Sequence, residues 1–399
     1  MRDGFKDSPI KKFTVVIVPH WKTGGGAGLY IQQLIKSFET LFHVEVSGVY
    51  ACTYRVNSYP SSLFGLLSRL VYPSYRGVSG TAKAFWLLHS ICLLIRNFFS
   101  IWVGSSLKKI DCVVFTSSVQ MPSVLLLRWL CPNIKIILVV QEQLTFGSEQ
   151  KSSSLKCLKL CDAVVSITDD WSVYARSFGL KVLTIKNLNY DLYLATSCSL
   201  DSLTVNSDLL YVGGGLKLKG FDFMMRVIPH LVDNLNLSIC LLGNFRDTEA
   251  KMVRDLMTKL ENKANIKLIG AVDDIRPYLC GTKLLVLPIL SPHFCRPALE
   301  AGFCGRPFII PSFPELREFA FHNVNCLTYD YQDYCQFSET IRNSIRDSSL
   351  LRKLGSNNYD FSHRYQDEGK RQSDASLRNI LSIISICADL GSRRPTIRQ

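Results

Sequence analysis

Between Leu287 and Pro307 the chain reads LPILSPHFCRPALEAGFCGRP, where Glu300 is the only acidic residue between Asp274 and Glu315. A carboxylate can accept from both hydroxyls of a ribose, and the N-terminal end of a helix favours its charge. Pro297 suits the first helical position and Gly305 the one after the last turn, so a helix is expected from about Pro297 to Cys304. Glu300 then lies in its first turn or just beyond, after a loop carrying His293 and Arg296. Two glycine loops add a second kind of chemistry. In KTGGGAG, Gly24, Gly25, Gly26 and Gly28 sit between a strand and a helix start, where backbone N–H groups can approach an anion or a sugar hydroxyl. No Gly-Lys-Ser/Thr closes it, so it is not a P-loop. YVGGGLKLKGF repeats the device, with Gly214 and Gly215 followed by Lys217 and Lys219 where the next helix begins, a receptor shaped for a diphosphate. Taken singly, these features also suit tight turns, solvated lysines and a helix-stabilising acid.

The elements that must position them alternate. KFTVVIV, HVEVSGVY, DCVVFTSS, IKIILVV, DAVVSIT and KVLTIK read as buried strands separated by helical stretches, which argues a parallel sheet covered on both faces. After a polar linker, Asn187 to Asp208, the grammar restarts with LLYVGGG, LSICLLGN, NIKLIGA, KLLVLPI, PFIIPS and NCLTYD. Helices are expected near Lys219, Thr248, Asp274, Pro297 and Pro314, and over DASLRNILSIISICADL near the C-terminus. The fold class is therefore α/β, two doubly wound Rossmann-like domains facing a cleft. The expected domains are residues 1–200 and 201–371, with a helix at about 372–390 expected to pack back on the first.

At 399 residues, with 47% hydrophobic and 20% charged, the chain can fill two cores. Its N-terminus, MRDGFKDSPIKKF, lacks the apolar run of a secretory signal, and no stretch is long and apolar enough to span a bilayer. A cytoplasmic location, peripheral at the inner face of the membrane, is expected. The 14 cysteines are then read as reduced and buried; Cys157 and Cys161, spaced C-x3-C, have no second pair to complete a zinc site. Lys plus Arg exceed Asp plus Glu by 46 to 33, a net charge of +13. From Val46 to Ile110 there is no acid, while Arg55, Arg69, Arg76, Lys83, Arg96, Lys108 and Lys109 interleave with long apolar runs. That mixture suits an anionic lipid surface and not nucleic acid, with Thr81 to Val103 as an interfacial helix.

The segment from about Leu209 to Asp330 resembles the donor-binding domain of glycosyltransferase family 4, retaining nucleotide-sugar transferases of the GT-B fold. YVGGGLKLKGFDFM, CLLGN, IKLIGAVDDIRPYL, LLVLPILSPHFCRPALEAGFCGRPFIIPS and ELREF stand in the family's order, and GGGAG, CDAVVSITDDW and TIKNL extend the likeness toward the N-terminus. The resemblance implies that Lys219 is the diphosphate-binding lysine and that Glu300, the second Glu of a Glu-x7-Glu signature, holds the donor ribose. Phe294, Arg296 and Ala298-Leu299-Glu300 fit the common motif, and Glu318 matches a Glu past the next strand. Three positions depart: Pro292 replaces the first Glu of the signature, Gly214 replaces a diphosphate-binding Arg, and Gln141 replaces a His after the fourth strand. Lys217, His293 and Arg296 are near enough in sequence to compensate.

The resemblance implies a metal-independent hexosyltransferase with no cofactor. Its substrates would be a nucleotide-sugar donor and a lipid-linked or oligosaccharide acceptor, in polysaccharide, lipopolysaccharide or glycolipid biosynthesis. The departures leave open a nucleotide-sugar-binding protein or partner subunit without turnover, and an epimerase would use the same cleft without an acceptor.

Overall fold

The computed structural model describes residues 14–18, 25–42, 45–46, 110–141, 155–188, 207–235, 237–260 and 265–391. The chain divides into two compact units, Met1–Asn189 with Lys370–Gln399, and Tyr190–Gly369. The acid-free segment, the expected Thr81 to Val103 helix, Gly24 and most of the linker lie outside the described residues.

The first unit runs β1 (Thr14–Val18), α1 (Gly25–Phe42), β2 (Glu45–Val46), β3 (Cys112–Phe115), α2 (Met121–Leu130), β4 (Lys135–Val140), β5 (Ala163–Ser166), α3 (Asp169–Arg176) and β6 (Val182–Thr184). The second runs β7 (Ser207–Val212), α4 (Phe221–Leu235), β8 (Ser238–Leu242), α5 (Asp247–Lys259), β9 (Asn265–Ile269), α6 (Arg276–Cys280), β10 (Thr282–Val286), α7 (Arg296–Phe303), β11 (Phe308–Pro311), β12 (Cys326–Tyr329) and α8 (Tyr334–Ile345). A last helix, α9 (Ser348–Gly391), belongs to the second unit up to Gly369 and to the first from Lys370. The sheets are ordered β2-β1-β3-β4-β5-β6 and β12-β11-β10-β7-β8-β9, and every described pairing is parallel.

Parallel strands covered on both faces read as largely apolar runs, and the central ones do here, with Asp208, Lys267 and Lys283 among the charged exceptions, in β7, β9 and β10. Leu209 and Tyr211 of β7 face one cluster with Met224, Val227, Ile228 and Leu231 of α4. Leu210 faces the other, with Ala298, Leu299, Ala301 and Phe303 of α7. Alternate residues of one strand thus bury against helices on opposite faces, each large aliphatic side chain contributing about 1.5–3 kcal/mol. In the first unit Val113, Phe115, Ile136, Leu138 and Val164 pack with Val124 and Leu127 of α2 and Trp171 and Ala175 of α3.

All twelve expected strand segments are strands. The helices differ more. Near Pro314 there is only a 3-10 turn, Pro314–Leu316. The C-terminal helix begins at Ser348, not near residue 372, and runs 44 residues. Between the buried Leu354 and Leu377, its buried residues, Gly355, Asn358, Ser362, Gln366, Gly369, Ser373 and Ser376, have helical spacing but are small or polar. Hydrophobic periodicity is blind to such a stripe. Asn358 Nδ2 reaches the carbonyls of Ala298 (3.3 Å) and Arg306 (2.9 Å), which ties α9 to both ends of α7.

Nine described cysteines are free thiols, as expected for reduced cysteines, whereas Cys280 is disulfide-bonded. Asp162 pins β4 to β5: Oδ2 accepts from Ile136 N–H (2.9 Å) and Arg128 (2.6 Å), and Oδ1 from Lys135 (2.9 Å). Burial alone would raise its pKa, but these three donors outweigh it and hold the carboxyl below the usual range. A depressed carboxylate stabilises the fold above its unfolded pKa, and that stabilisation is lost as pH falls through the folded value. Asp162→Asn is therefore expected to lose about 1.5–3 kcal/mol at neutral pH, where wild type keeps charged hydrogen bonds. Urea denaturation at neutral pH and below about pH 3 checks this, the difference shrinking in acid.

Candidate functional site

In the second sheet the chain moves from β7 outward to β8 and β9, then returns to the other side of β7 as β10. The strand order therefore reverses between β7 and β10, and the crevice outside their carboxyl ends is where an open α/β sheet binds ligands. The segments leaving those ends are Gly213 to Gly220 and Leu287 to Cys295, which carry the glycines, Lys217, Lys219 and His293. Leu290 N–H donates to Leu218 O (3.0 Å), joining the two loops.

Lys219 lies in a 3-10 turn, Lys217–Lys219, ended by Gly220 at φ 81°. A Cβ on Gly220 would stand 1.8 Å from Pro288 O, so this residue provides both the left-handed turn and the close approach of the loops. Gly220→Ala is expected to destabilise the second unit by about 2 kcal/mol through backbone strain, measured as a lower urea midpoint with an unchanged m-value.

Lys219 Nζ stands 2.5 Å from His293 Nε2, and His293 Nδ1 is 2.8 Å from Ser291 O. A carbonyl can only accept, so Nδ1 carries the ring proton of the neutral imidazole and Nε2 offers its lone pair to the ammonium. Burial first, and Lys219 second, push the His293 pKa down to about 4, which keeps the ring neutral at physiological pH. Lys217 is different: 78% exposed and 3.8 Å from Asp222 Oδ2, it is a solvated cation at the rim.

The glycine loop corrects one expectation. The N–H groups of Gly213 and Gly214 both donate to Leu242 O (3.1 Å each), and Gly215 N–H donates to Asn244 O (2.9 Å). These are not open donors awaiting a phosphate. Gly214, at φ 57°, would place a Cβ 2.2 Å from Asn244 O, so its role is to let two loops press together.

Glu300 is buried on α7 and is the fifth helical residue, just past the first turn. Arg296, the first, donates from Nε to Glu300 Oε1 at 2.6 Å, both side chains being largely enclosed. The helix ends one residue earlier than Cys304, and Gly305 closes it at φ 63°, with Gly305 N–H on Gly302 O and Arg306 N–H on Ala301 O. Phe294 packs edge-on to Phe319 (6.0 Å) and stacks on Tyr365 (6.4 Å), a packing role at the margin of the core. Glu318 follows the 3-10 turn near Pro314 and accepts from Tyr365 Oη at 3.0 Å. The second unit thus brings Lys219 and His293 into contact, and Arg296 with Glu300.

In the first unit Gly25 and Gly26 open α1. Gln141 follows β4 and donates to Thr116 O (3.0 Å). A buried lysine went unnoticed in the sequence: Lys186, in TIKNL, pairs with Asp169 Oδ2 (2.9 Å), whose Oδ1 accepts from Gln372 of α9 (2.6 Å). Tyr30 and Gln33 of α1 and Ser373 of α9 bond the backbone of residues 185, 186 and 188. A lysine after a strand carries no periodic signal, and only tertiary partners reveal it.

The second unit carries a family match. Residues 204–361 match the family Glycosyl transferases group 1. Two curated relatives from Methanocaldococcus jannaschii are similar over part of the chain. The uncharacterized glycosyltransferase MJ1178 is 26% identical over 40% of this chain and 44% of its own length. The uncharacterized glycosyltransferase MJ1607 is 28% identical over 29% of this chain and 30% of its own. The matched segment thus spans less than half the length of either relative. Among solved structures, sucrose-phosphate synthase from Thermosynechococcus elongatus superposes with a TM-score of 0.67 at 14% identity, covering 93% of this chain and 100% of that one. HepE of Anabaena in complex with UDP-glucose gives 0.60 at 13% identity, covering 92% and 99%. The fold is accordingly GT-B in class, built of two parallel-sheet Rossmann-like domains.

Proposed function

We propose that this chain is a retaining glycosyltransferase of the family 4 type. It moves a hexose from a nucleotide diphosphate-sugar to the hydroxyl of a lipid-linked or oligosaccharide acceptor, in polysaccharide, lipopolysaccharide or glycolipid biosynthesis. The observation that carries the reading is the placement of Lys219 at the β7/β10 switch point of the domain that matches the family, with Glu300 on α7 following β10. Lys219 meets the diphosphate, Glu300 accepts from the ribose hydroxyls, and Lys217 adds long-range attraction at the rim. That HepE of Anabaena was crystallised with UDP-glucose supports a nucleotide-sugar as the donor class. The positive charge comes from side chains, without a cofactor or metal. The protein works at the inner face of the membrane, an assignment that rests on the acid-free basic and apolar segment from Val46 to Ile110.

Incubating the full chain with a panel of nucleotide-sugars in EDTA, with and without a lipid-linked acceptor, tests this. Acceptor-dependent release of nucleotide diphosphate with a product of retained configuration is expected. An inverted product, or activity only with added divalent cation, overturns the mechanism. A second reading, a nucleotide-sugar-binding protein without turnover, is favoured by one observation: the backbone at Gly214 has no room for the arginine that the resemblance places there. Nucleotide binding without release under every condition selects it.

A further inference from the structure

We propose that His293 is the positioning residue for Lys219, fixing its ammonium at the β7/β10 crevice through a neutral acceptor that leaves the lysine's charge in place. The proposal deepens the glycosyltransferase reading and rests on it for its kinetic consequences, although the pairing itself can be tested without activity.

A lysine side chain left to itself samples many rotamers and loses that freedom when it must meet a ligand. Here the freedom is already removed. The Cβ of Lys219 lies where a side chain on Gly213 would collide with it at 2.6 Å, so the stem starts from a confined position. At the other end Nζ is 2.5 Å from His293 Nε2, and the ring is oriented by its bond to Ser291 O at 2.8 Å. The loop that carries His293 is held against the 3-10 turn by Leu290 N–H on Leu218 O (3.0 Å). Backbone, ring and ammonium form one chain of contacts.

The partner's chemistry matters as much as its position. A carboxylate at the same place would neutralise the ammonium, and an arriving diphosphate would have to displace it. A neutral imidazole occupies one N–H of the three and leaves the full positive charge with two donors for the ligand. The neighbouring groups support this state. Cys295 is a buried thiol pushed up to about 11, and the Glu300 carboxylate is bonded to Arg296. His293 stays uncharged because burial and Lys219 both oppose its protonation.

Two measurements on the full chain decide the matter. Nitrogen-15 correlation spectra of the histidine rings, assigned by loss of the signal in His293→Gln, report the pairing directly. Wild type is expected to show the Nδ1–H tautomer with no titration between about pH 5 and 8, and Lys219→Met to move the midpoint up toward the ordinary histidine value of about 6.5. An Nε2–H tautomer, or a midpoint near 6.5 in wild type, overturns the proposal whether or not the protein turns over. The second measurement is a double-mutant cycle on turnover, or on nucleoside diphosphate binding if no turnover is found. His293→Ala should lower kcat about tenfold with a smaller change in KM, and should add nothing in a Lys219→Ala background. His293→Gln, whose side-chain oxygen can also accept from Lys219, should keep activity within about threefold of wild type. Equal losses from His293→Ala in both backgrounds assign the residue a purely structural role and sink the idea. A normal histidine spectrum in a protein that binds no nucleotide defeats both readings, and the expected spectrum with no binding defeats only the glycosyltransferase one.

Discussion

Lys219→Ala is expected to lower turnover by about 100- to 1,000-fold while weakening affinity for the nucleotide diphosphate much less. The asymmetry follows from where charge develops. In the donor's ground state the diphosphate charge is shared with the sugar ester; as the glycosidic bond breaks, negative charge accumulates on the leaving phosphate, and a preorganised cation is worth most at that moment. Among the described residues, neither Lys217 nor Arg296 substitutes for it. Lys217 is solvent-exposed and 3.8 Å from Asp222, so its field is screened. Arg296 is bonded to Glu300. Measuring kcat alongside calorimetric titration of nucleoside diphosphate, on variants shown to be folded by urea denaturation, checks the split. Equal losses in kcat and affinity would make Lys219 a ground-state anchor, and a loss below about fivefold would remove it from the chemistry altogether.

How much of this was legible beforehand depends on the kind of signal. The strands were, because most are short apolar runs bounded by turn residues, and β3, β4 and β5 at the middle of the first sheet are buried almost throughout. The glycines were visible too, but their meaning was not: sequence shows that Gly214 lacks a side chain, while only the fold shows that Asn244 occupies the space and that Leu242 takes the N–H. The Lys219–His293 contact joins residues 74 positions apart, beyond the reach of any local pattern. The strand order alone predicts that the loops after β7 and β10 meet, and the sequence does not display strand order. The first half of α9 was hidden for a different reason. Asn358 and Ser362 are buried because α7 approaches closely at Gly302, where a Cβ would lie 1.9 Å from Ser362 Oγ. Small polar residues permit that approach and give no hydrophobic signature.

Glu300→Gln is expected to weaken donor affinity by about 1–3 kcal/mol and to lower stability by about 1.5–3 kcal/mol through the weakened hydrogen bond to Arg296. The competing explanation is that Glu300 serves the helix and not a ligand, and the geometry of α7 argues against it. A helix favours acid at its N-terminus and base at its C-terminus, with Glu preceding its basic partner by four residues. Here the order is reversed: Arg296 is the first residue of α7 and Glu300 the fifth. The pair therefore gains little from the helix dipole, and what it does is aim a carboxylate. Arg296 Nε holds Oε1 at 2.6 Å, which fixes the rotamer and leaves Oε2 with its lone pairs for a ribose hydroxyl. Glutamine keeps the size, and its carbonyl oxygen can still accept from Arg296, so the helix should persist. It loses the negative charge that strengthens a hydroxyl's hydrogen bond, and it can present an amide N–H₂ where an acceptor is required. Calorimetric titration with the nucleoside diphosphate and, separately, with the nucleoside that lacks the diphosphate separates the contributions: the loss should appear with both ligands, because both carry the ribose, whereas Lys219→Ala should affect only the diphosphate. Unchanged binding of both ligands by a folded Glu300→Gln protein would remove Glu300 from the donor site and return it to packing.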